Sequence, residues 1–411
     1  MSDPAQRTVL DLADRTFRHA GARIVATLAA QLGADHLDLV EDAVQDALVA
    51  AINTWTDGDL PLDPAAWLYR AAKNRALDIL RRDARSQPLS EMTGSSASEV
   101  SETEMMDSQL RMLFMCCHPS LSPAARVALS LNIVGGLSAP ETGRALLMSE
   151  SAIRQVIVRA KRKLRDSAVS LALPAQHDLQ DRLDSVLDAL YLMFNEGYSA
   201  YEGERVVRTE LCHEAIRMCG LLGDNLTTDL PPVHALTALM LFQSARLDAR
   251  SGDGGEAITL RHQDRSRWDR RMIVAAFSEL ELSARGSSVS RYHLEAEIAS
   301  YHAGSESYEA TDWSAIISAY DALLDMAPSP VVALGRAVAV GERDGPLAGL
   351  RELKTLDDDA ALADYPFFHA ARAELLKRSD NIAESREAYS KALALTLSNP
   401  VRLSLAKQLE S

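Results

Sequence analysis

"GGLSAPETGRALLMSESAIRQVIVRAKRKLR", residues 135–165, decides how the chain around it folds. Ser138-Ala139-Pro140-Glu141 sets a serine three residues ahead of a glutamate with proline in the first turn. That is a capping box, and it predicts a helix beginning at Ala139. The helix is short, ending near Leu146 or Leu147. Ser149 then offers a second N-cap, for a helix running to about Arg165. On that second helix Ile153, Val156, Ile157, Ala160 and Leu164 share one stripe about 100° wide. Arg154, Gln155, Arg159, Lys161, Arg162, Lys163 and Arg165 take the rest, with no acid from Ala152 to Arg165. A short helix, a tight turn and a longer basic helix make a helix-turn-helix, whose second helix can enter a major groove. An ordinary helical hairpin with a solvated outer face fits the same pattern. Upstream, Ser122-Pro123 caps a further helix that Gly135-Gly136 ends.

A second basic helix lies at "AWLYRAAKNRALDILRRDAR" (66–85). Leu68, Ala72, Ala76 and Ile79 form its core face, and Trp67, Arg70, Asn74, Asp78, Arg81 and Arg85 form a flanking stripe. Arginine can bridge phosphates or read guanine, asparagine can read adenine, and tryptophan can stack on an unpaired base. A solvated basic face with Trp67 anchored in the core is the plainer reading.

Both helices are conspicuous because the whole chain is acidic. Its 411 residues hold 43 basic and 58 acidic side chains, a formal charge of −15. The excess is uneven, −2 over residues 1–170 and −13 over 171–411. Any nucleic-acid contact is therefore expected in the first part. Alanine and leucine dominate a 47% hydrophobic composition, aromatics reach only 5%, and nothing alternates with period two. The expected fold is all-α. No apolar run approaches the roughly 18 residues of a membrane span. The N-terminus is charged throughout and the four cysteines are too few for a disulfide framework, which predicts a cytoplasmic protein without membrane contact.

Residues 1–85 read as one helical domain, interrupted at 56–64 by "TDGDLPLDP". Residues 86–109 contain seven serines, five acids and no lysine or arginine. With no apolar periodicity they are expected to be a flexible acidic linker. Residues 110–170 hold the helix-turn-helix, and 171–411 a larger series of helices. Late in that series, Tyr320 with Pro328, and Ala373 and Ser385 with Tyr389 and Ala392, echo the aromatic-and-small spacing of tetratricopeptide-like helix pairs. A plain α-solenoid or bundle fits as well.

Taken together, these stretches resemble the extracytoplasmic-function RNA polymerase sigma factors of the sigma-70 family. "DLVEDAVQDALVAAINTW" (38–55) is similar to the helix of region 2 that docks on core polymerase. Residues 63–85 are similar to its −10 reading helix, and 121–165 to region 4, which reads the −35 element. "LYLMFNEGYSA" (190–200), "HALTALMLFQSAR" (234–246) and "YPFFHAARAELL" (365–376) extend the likeness to a subgroup with a C-terminal tetratricopeptide-like domain. The resemblance implies core polymerase docking by Asp38, Glu41, Asp42, Gln45 and Asp46. It implies −10 contacts by Trp67, Arg70, Asn74, Arg75, Arg81 and Arg82, with a flipped base received by the loop 56–64. It implies −35 contacts by Glu150, Ser151, Arg154, Gln155 and Arg159, with Lys161, Arg162, Lys163 and Arg165 on phosphates. Gly143 and Leu147 depart mildly from the family pattern and blur the turn. Core polymerase and promoter DNA are the implied partners. The acidic C-terminal domain is expected to control activity in cis, through an intramolecular or a protein partner.

No phosphate-cradling glycine loop, nucleophile elbow or paired-carboxylate motif is present, so no enzyme, cofactor or catalytic residue is expected. "MCCHP" (115–119) lacks the ligand spacing of a metal site, and Cys212 and Cys219 share one helical face, which suits burial. "RHQDRSRWDRR" (261–271) reads as arginine–aspartate pairs around Trp268 or as a docking point for an acidic segment. A helix-turn-helix regulator acting without polymerase, and a helical scaffold, remain the alternatives to a sigma factor.

Overall fold

The computed structural model describes residues 20–55, 61–84, 102–146, 148–167, 169–198 and 209–410 of the chain. Among them every regular element is helical, apart from one isolated antiparallel bridge between Ser251 and Ala257. The chain divides into two compact units, Met1–Leu192 and Met193–Ser411.

In the first unit, α1 (residues 20–32), α2 (Leu37–Thr54) and α3 (Pro64–Ala84) form one group. Ala43, Ala47 and Ala51 of α2 and Ala72 and Ala76 of α3 are all buried, and the two helices pack together. Leu68 fills the space beside these alanines, and Ile79 is only half-buried. α3 begins at Pro64, where Asp63 Oδ1 accepts from the Ala66 amide at 2.9 Å.

The next helix, α4 (Glu102–Cys116), starts inside the stretch expected to be a linker. Its first two turns are polar and carry no apolar period. Helix-favouring Glu and Met carry them as an extension of the buried run Leu110, Met112, Leu113 and Phe114. α5 (Pro123–Leu129) continues into a π-type turn, Ser130–Val134, closed by the Gly135 amide on the Ser130 carbonyl at 2.8 Å. α6 (Ala139–Ala145) and α7 (Glu150–Asp166) follow. α8 (Leu179–Tyr198) runs across the division between the two units at Leu192. Leu183, Val186, Leu187 and Leu190 of α8 are fully buried, and Arg182 Nη2 donates to the Phe114 carbonyl at 2.8 Å.

In the second unit, α9 (Thr209–Gly223), α11 (Arg270–Ser283) and α12 (Arg291–Gly304) pack around α10 (Pro231–Ser244). α10 is apolar on every side, and all eight residues from Val233 to Met240 are buried. A helix without a polar face must lie at a centre. Chain order then continues through α13 (Trp313–Met326), α14 (Pro330–Asp344), α15 (Pro346–Lys354), α16 (Ala360–Ala363), α17 (Pro366–Arg378), α18 (Ile382–Leu395) and α19 (Asn399–Glu410). Short connections make neighbours pair as helical hairpins. The tetratricopeptide-like signals lie at such a pairing: Ala373, Ser385, Tyr389 and Ala392 are all buried between α17 and α18. Ser385 Oγ donates to the Ala373 carbonyl at 2.8 Å.

The arginines of 261–271 do not pair with the aspartates of their own segment. Arg265 Nη1 donates to the carbonyls of His302 and Ser305 at 2.7 and 2.8 Å, and Arg261 pairs with Glu342. Asp264 and Asp269 instead cap Ser266 and Arg271 amides. All four cysteines are free and buried. Burial pushes Cys117 up to about 11, Cys219 up to about 12, and Cys116 well above its ordinary 9.0. Because the thiolate is the reactive form, the native chain at about pH 8 should release almost no colour from a thiol-reactive aromatic disulfide. In urea, all four thiols should react.

Candidate nucleic-acid interface

The helix-turn-helix is built as its caps predict. The Ser138 amide donates to Glu141 Oε2 at 2.9 Å, and Ser138 Oγ accepts from the Glu141 amide at 3.4 Å. Ser149 Oγ accepts from the Ala152 amide at 3.3 Å and starts α7. Between the helices the Met148 amide donates to the Gly143 carbonyl at 2.8 Å. A Cβ on Gly143 would lie 2.9 Å from the Met148 carbonyl oxygen and 3.2 Å from Ile153 Cγ2. The departure at Gly143 is thus what lets this turn close. Gly143→Val should cost roughly 1–3 kcal/mol by overpacking, measured as a lowered unfolding midpoint with α7 helicity retained in the folded state.

α7 buries Ile153, Ile157, Ala160 and Leu164. Ser151, Arg154, Gln155, Arg159 and Arg162 face solvent. Glu150 is also exposed, but it binds its neighbour, accepting from Arg154 Nε at 3.0 Å and Nη2 at 2.6 Å. One member of this surface has no polar signal in the sequence: Val158, 64% exposed, one turn beyond Arg154 and Gln155. An exposed β-branched side chain among the expected −35 contacts has the chemistry to meet a thymine methyl group. Its only sequence signal is an apolar residue off the core stripe.

The expected phosphate contacts separate into two sets. Arg162 is exposed. Lys163 instead bonds the Ser120 carbonyl, and Lys161 and Arg165 turn towards α2. Lys161 Nζ pairs with Glu41 and, at 3.3 Å, with Asp38, while Arg165 Nη1 lies 3.5 Å from Asp38 Oδ2. The Lys161 side chain is 13% exposed. Two residues expected on polymerase and two expected on DNA thus hold each other. Burial works against both charges in this seam. On Lys161 the two carboxylates outweigh it and raise the ammonium, whereas on Glu41 burial wins and raises the carboxyl above its ordinary 4.5. The folded chain therefore takes up the Glu41 proton before the unfolded chain does, and on this group stability falls as pH climbs from 4.5 past the raised value. Glu41→Gln removes that slope, so the urea midpoint of the variant relative to the parent should improve steadily from acid towards neutral pH.

Region 2 shows a similar pairing. Arg75 Nε donates to Asp46 Oδ2 at 2.7 Å, so the most C-terminal docking acid meets a −10 candidate. Of the docking set, Asp38, Asp42, Gln45 and Asp46 are exposed, Asp38 and Asp46 while paired, and Glu41 is half-buried. Arg70, Asn74, Arg81 and Arg82 are exposed on α3, with Arg81 3.4 Å from Asp78. Trp67 is half-buried and stands edge-on to the buried Trp55 at 5.5 Å between centroids. Residues 56–60 of the loop expected to receive a flipped base, and Arg85, lie outside the described residues.

Comparison with known proteins matches three separate stretches of the chain. Residues 19–86 match the family model of sigma-70 region 2, and 111–164 that of sigma-70 region 4. Residues 182–284 match a family of unknown function, DUF6596. Uncharacterized protein R00370 of Rhizobium meliloti (strain 1021) is 38% identical over 369 residues, covering 88% of this chain and 86% of that protein. The "Probable ECF RNA polymerase sigma factor SigI" of Mycobacterium tuberculosis is 25% identical over 173 residues, 38% of this chain and 59% of its own. No solved structure matches. No described helix is long and apolar enough to cross a membrane.

Proposed function

We propose that the chain, whose residues 19–86 and 111–164 match the models of sigma-70 regions 2 and 4, is an extracytoplasmic-function sigma factor that docks on core RNA polymerase through α2 and directs promoter opening through α3 and α7. In this reading Asp42 and Gln45 make the first polymerase contacts, with Asp38, Glu41 and Asp46 joining once their own partners let go. Arg70, Asn74, Arg81 and Arg82, with Arg75 and Trp67, meet the −10 element. Ser151, Arg154, Gln155 and Arg159 meet the −35 bases, with Glu150 orienting Arg154 and Arg162 on phosphate. The observation that carries the reading is the solvent-facing stripe of α7, where a guanidinium, an amide and an apolar side chain lie one turn apart on a capped helix.

The seam between α2 and α7 supports one addition. While Lys161 and Arg165 hold Asp38 and Glu41, those four side chains serve neither polymerase nor phosphate. We propose that the free protein is closed in this way and opens when the clamp and the promoter compete for the same charges. The helical second unit is proposed to control the first in cis. A cut for testing this belongs after α8, not at 171, since α8 supplies buried leucines to the first unit.

Run-off transcription with core enzyme tests the reading. The joint change Arg154→Ala with Gln155→Ala should abolish the promoter-specific product while core polymerase still co-purifies. Asp42→Lys should weaken core binding by about tenfold, as a reversed rim charge does. A chain ending at Tyr198 should differ strongly in output from the full chain. A promoter-specific product that survives the joint Arg154→Ala and Gln155→Ala change, or no such product from the unaltered chain on any native upstream region, would refute the assignment.

A further inference from the structure

The second unit contains a cavity of about 510 Å³ that the transcriptional reading does not use. It lies between the end of α8, the segment 246–263, the start of α17 and the joint between α18 and α19. Its volume falls in the range that holds a small-molecule ligand.

Its wall has two characters. Ile258, Leu395, Val401 and Leu405 give it an apolar body. Two arginines, Arg246 and Arg250, also line it. The Arg250 guanidinium lies 3.6 Å from the Tyr198 ring centroid, and that of Arg246 lies 5.5 Å from the same ring. Among the described residues neither is paired with a carboxylate, although the region from 171 onward carries a net charge of −13. The one acid in the wall, Asp364, is exposed. Arg246 binds the Gln243 amide oxygen instead. Burial lowers the Arg246 guanidinium, and Arg250 and Arg265 push it the same way. Nearby His302 is pushed down to about 3, by burial first and then by Arg246 and Arg265. Positive charge has been gathered here without its counter-charge.

Three wall residues also carry a buried polar atom with no hydrogen-bond partner: Arg250 Nη1, Gln263 Oε1 and Ser398 Oγ. Ser398 is only 3% exposed. Native structures rarely leave such atoms unpaired. Their chemistry is specific: Arg250 offers a charged donor, Gln263 an acceptor, and Ser398 either. Gln263 is fixed in this role because its Nε2 donates to the Ile258 carbonyl at 3.1 Å.

The segment that closes the cavity is fastened at several points. The Ile258 amide donates to the Arg250 carbonyl at 2.8 Å, and the Ala257 amide to the Pro400 carbonyl at 3.0 Å. Glu256 accepts from Lys407 Nζ of α19 at 2.5 Å. The segment is thus held in place before any ligand arrives.

We propose that this cavity binds a small amphipathic hydroxy acid. Its carboxylate meets Arg250 and Arg246, its hydroxyl donates to Gln263 Oε1, and its apolar body lies against Ile258, Val401 and Leu405. The proposal stands on the second unit alone and does not depend on what the first unit does.

Titration calorimetry on the full chain tests it, with 3-hydroxydecanoate, 3-hydroxydecanamide and decanoate as probes. The hydroxy acid should bind saturably at one site per chain. The amide, which keeps the shape and loses the charge, should bind at least about tenfold more weakly. Arg250→Met should bring the acid down to the affinity of the amide while leaving the amide unchanged. Absence of saturable binding by 3-hydroxydecanoate, or equal affinity for its amide, would overturn the site. Equal affinity for decanoate would overturn the hydroxyl contact. The comparison of probes on the unaltered chain decides the matter even where the arginine variant does not fold.

Discussion

At several helix contacts of this protein, the residue on at least one side has a single side-chain carbon or none. Ala43, Ala47 and Ala51 meet α3 at Ala72 and Ala76. A Cβ on Gly335 would lie 2.7 Å from the Tyr320 hydroxyl, and one on Gly349 would lie 2.8 Å from the Gly341 Cα. With aromatics at 5% of the sequence, few side chains can fill wide gaps. The helices therefore approach closely and leucine fills the remainder, the dense interior that folded chains require. Close packing also fixes which polar side chains come within reach of one another, and the charge pairs follow from it.

One group of ion pairs joins residues for which function is proposed. A surface pair in water contributes little, about 0–1 kcal/mol, but the Lys161–Glu41 pair within the seam is largely sheltered from water. Breaking it by removing one partner would leave the other charge buried, whereas exchanging its partner for a basic clamp surface or a phosphate keeps each charge compensated. Such an exchange costs far less than exposure to nothing, so a closed state of this kind can be sturdy alone and yet yield readily to the right competitor. In the second unit, by contrast, Arg246 and Arg250 sit without any such exchange partner among the described residues.

Much of this was legible in the sequence, for a local reason. Caps act within four residues, so Ser138, Glu141 and Ser149 announced the two helices of the helix-turn-helix. Small-residue spacing announced the α17–α18 pairing through Ala373 and Ser385. What sequence could not disclose depends on distance along the chain. Lys161 and Glu41 are 120 residues apart, and Lys407 and Glu256 are 151 apart. No local pattern links either pair, and the cavity that the second pair helps to close was accordingly invisible. The start of α4 at Glu102 was hidden for another reason. Its first turns are polar and are carried by the buried turns that follow, so neither composition nor period marks them as helix.

The π-type turn after α5 bears on how relatives of this chain should be compared. Ser130–Val134 holds one residue more than an α-helical turn, and the bond from the Gly135 amide to the Ser130 carbonyl spans five residues in place of four. Each inserted residue rotates everything after it by about 100° around the helix axis. Here the rotation keeps Leu131, Ile133 and Val134 buried. It also brings Gly135 so near the Leu131 carbonyl oxygen that a Cβ would lie 2.7 Å from it. A relative whose helix lacks the extra residue would need different residues at those positions to keep the same core. Alignments of region 4 across such relatives should therefore open a one-residue gap between Ser130 and Gly135, and the glycine should come and go with that residue.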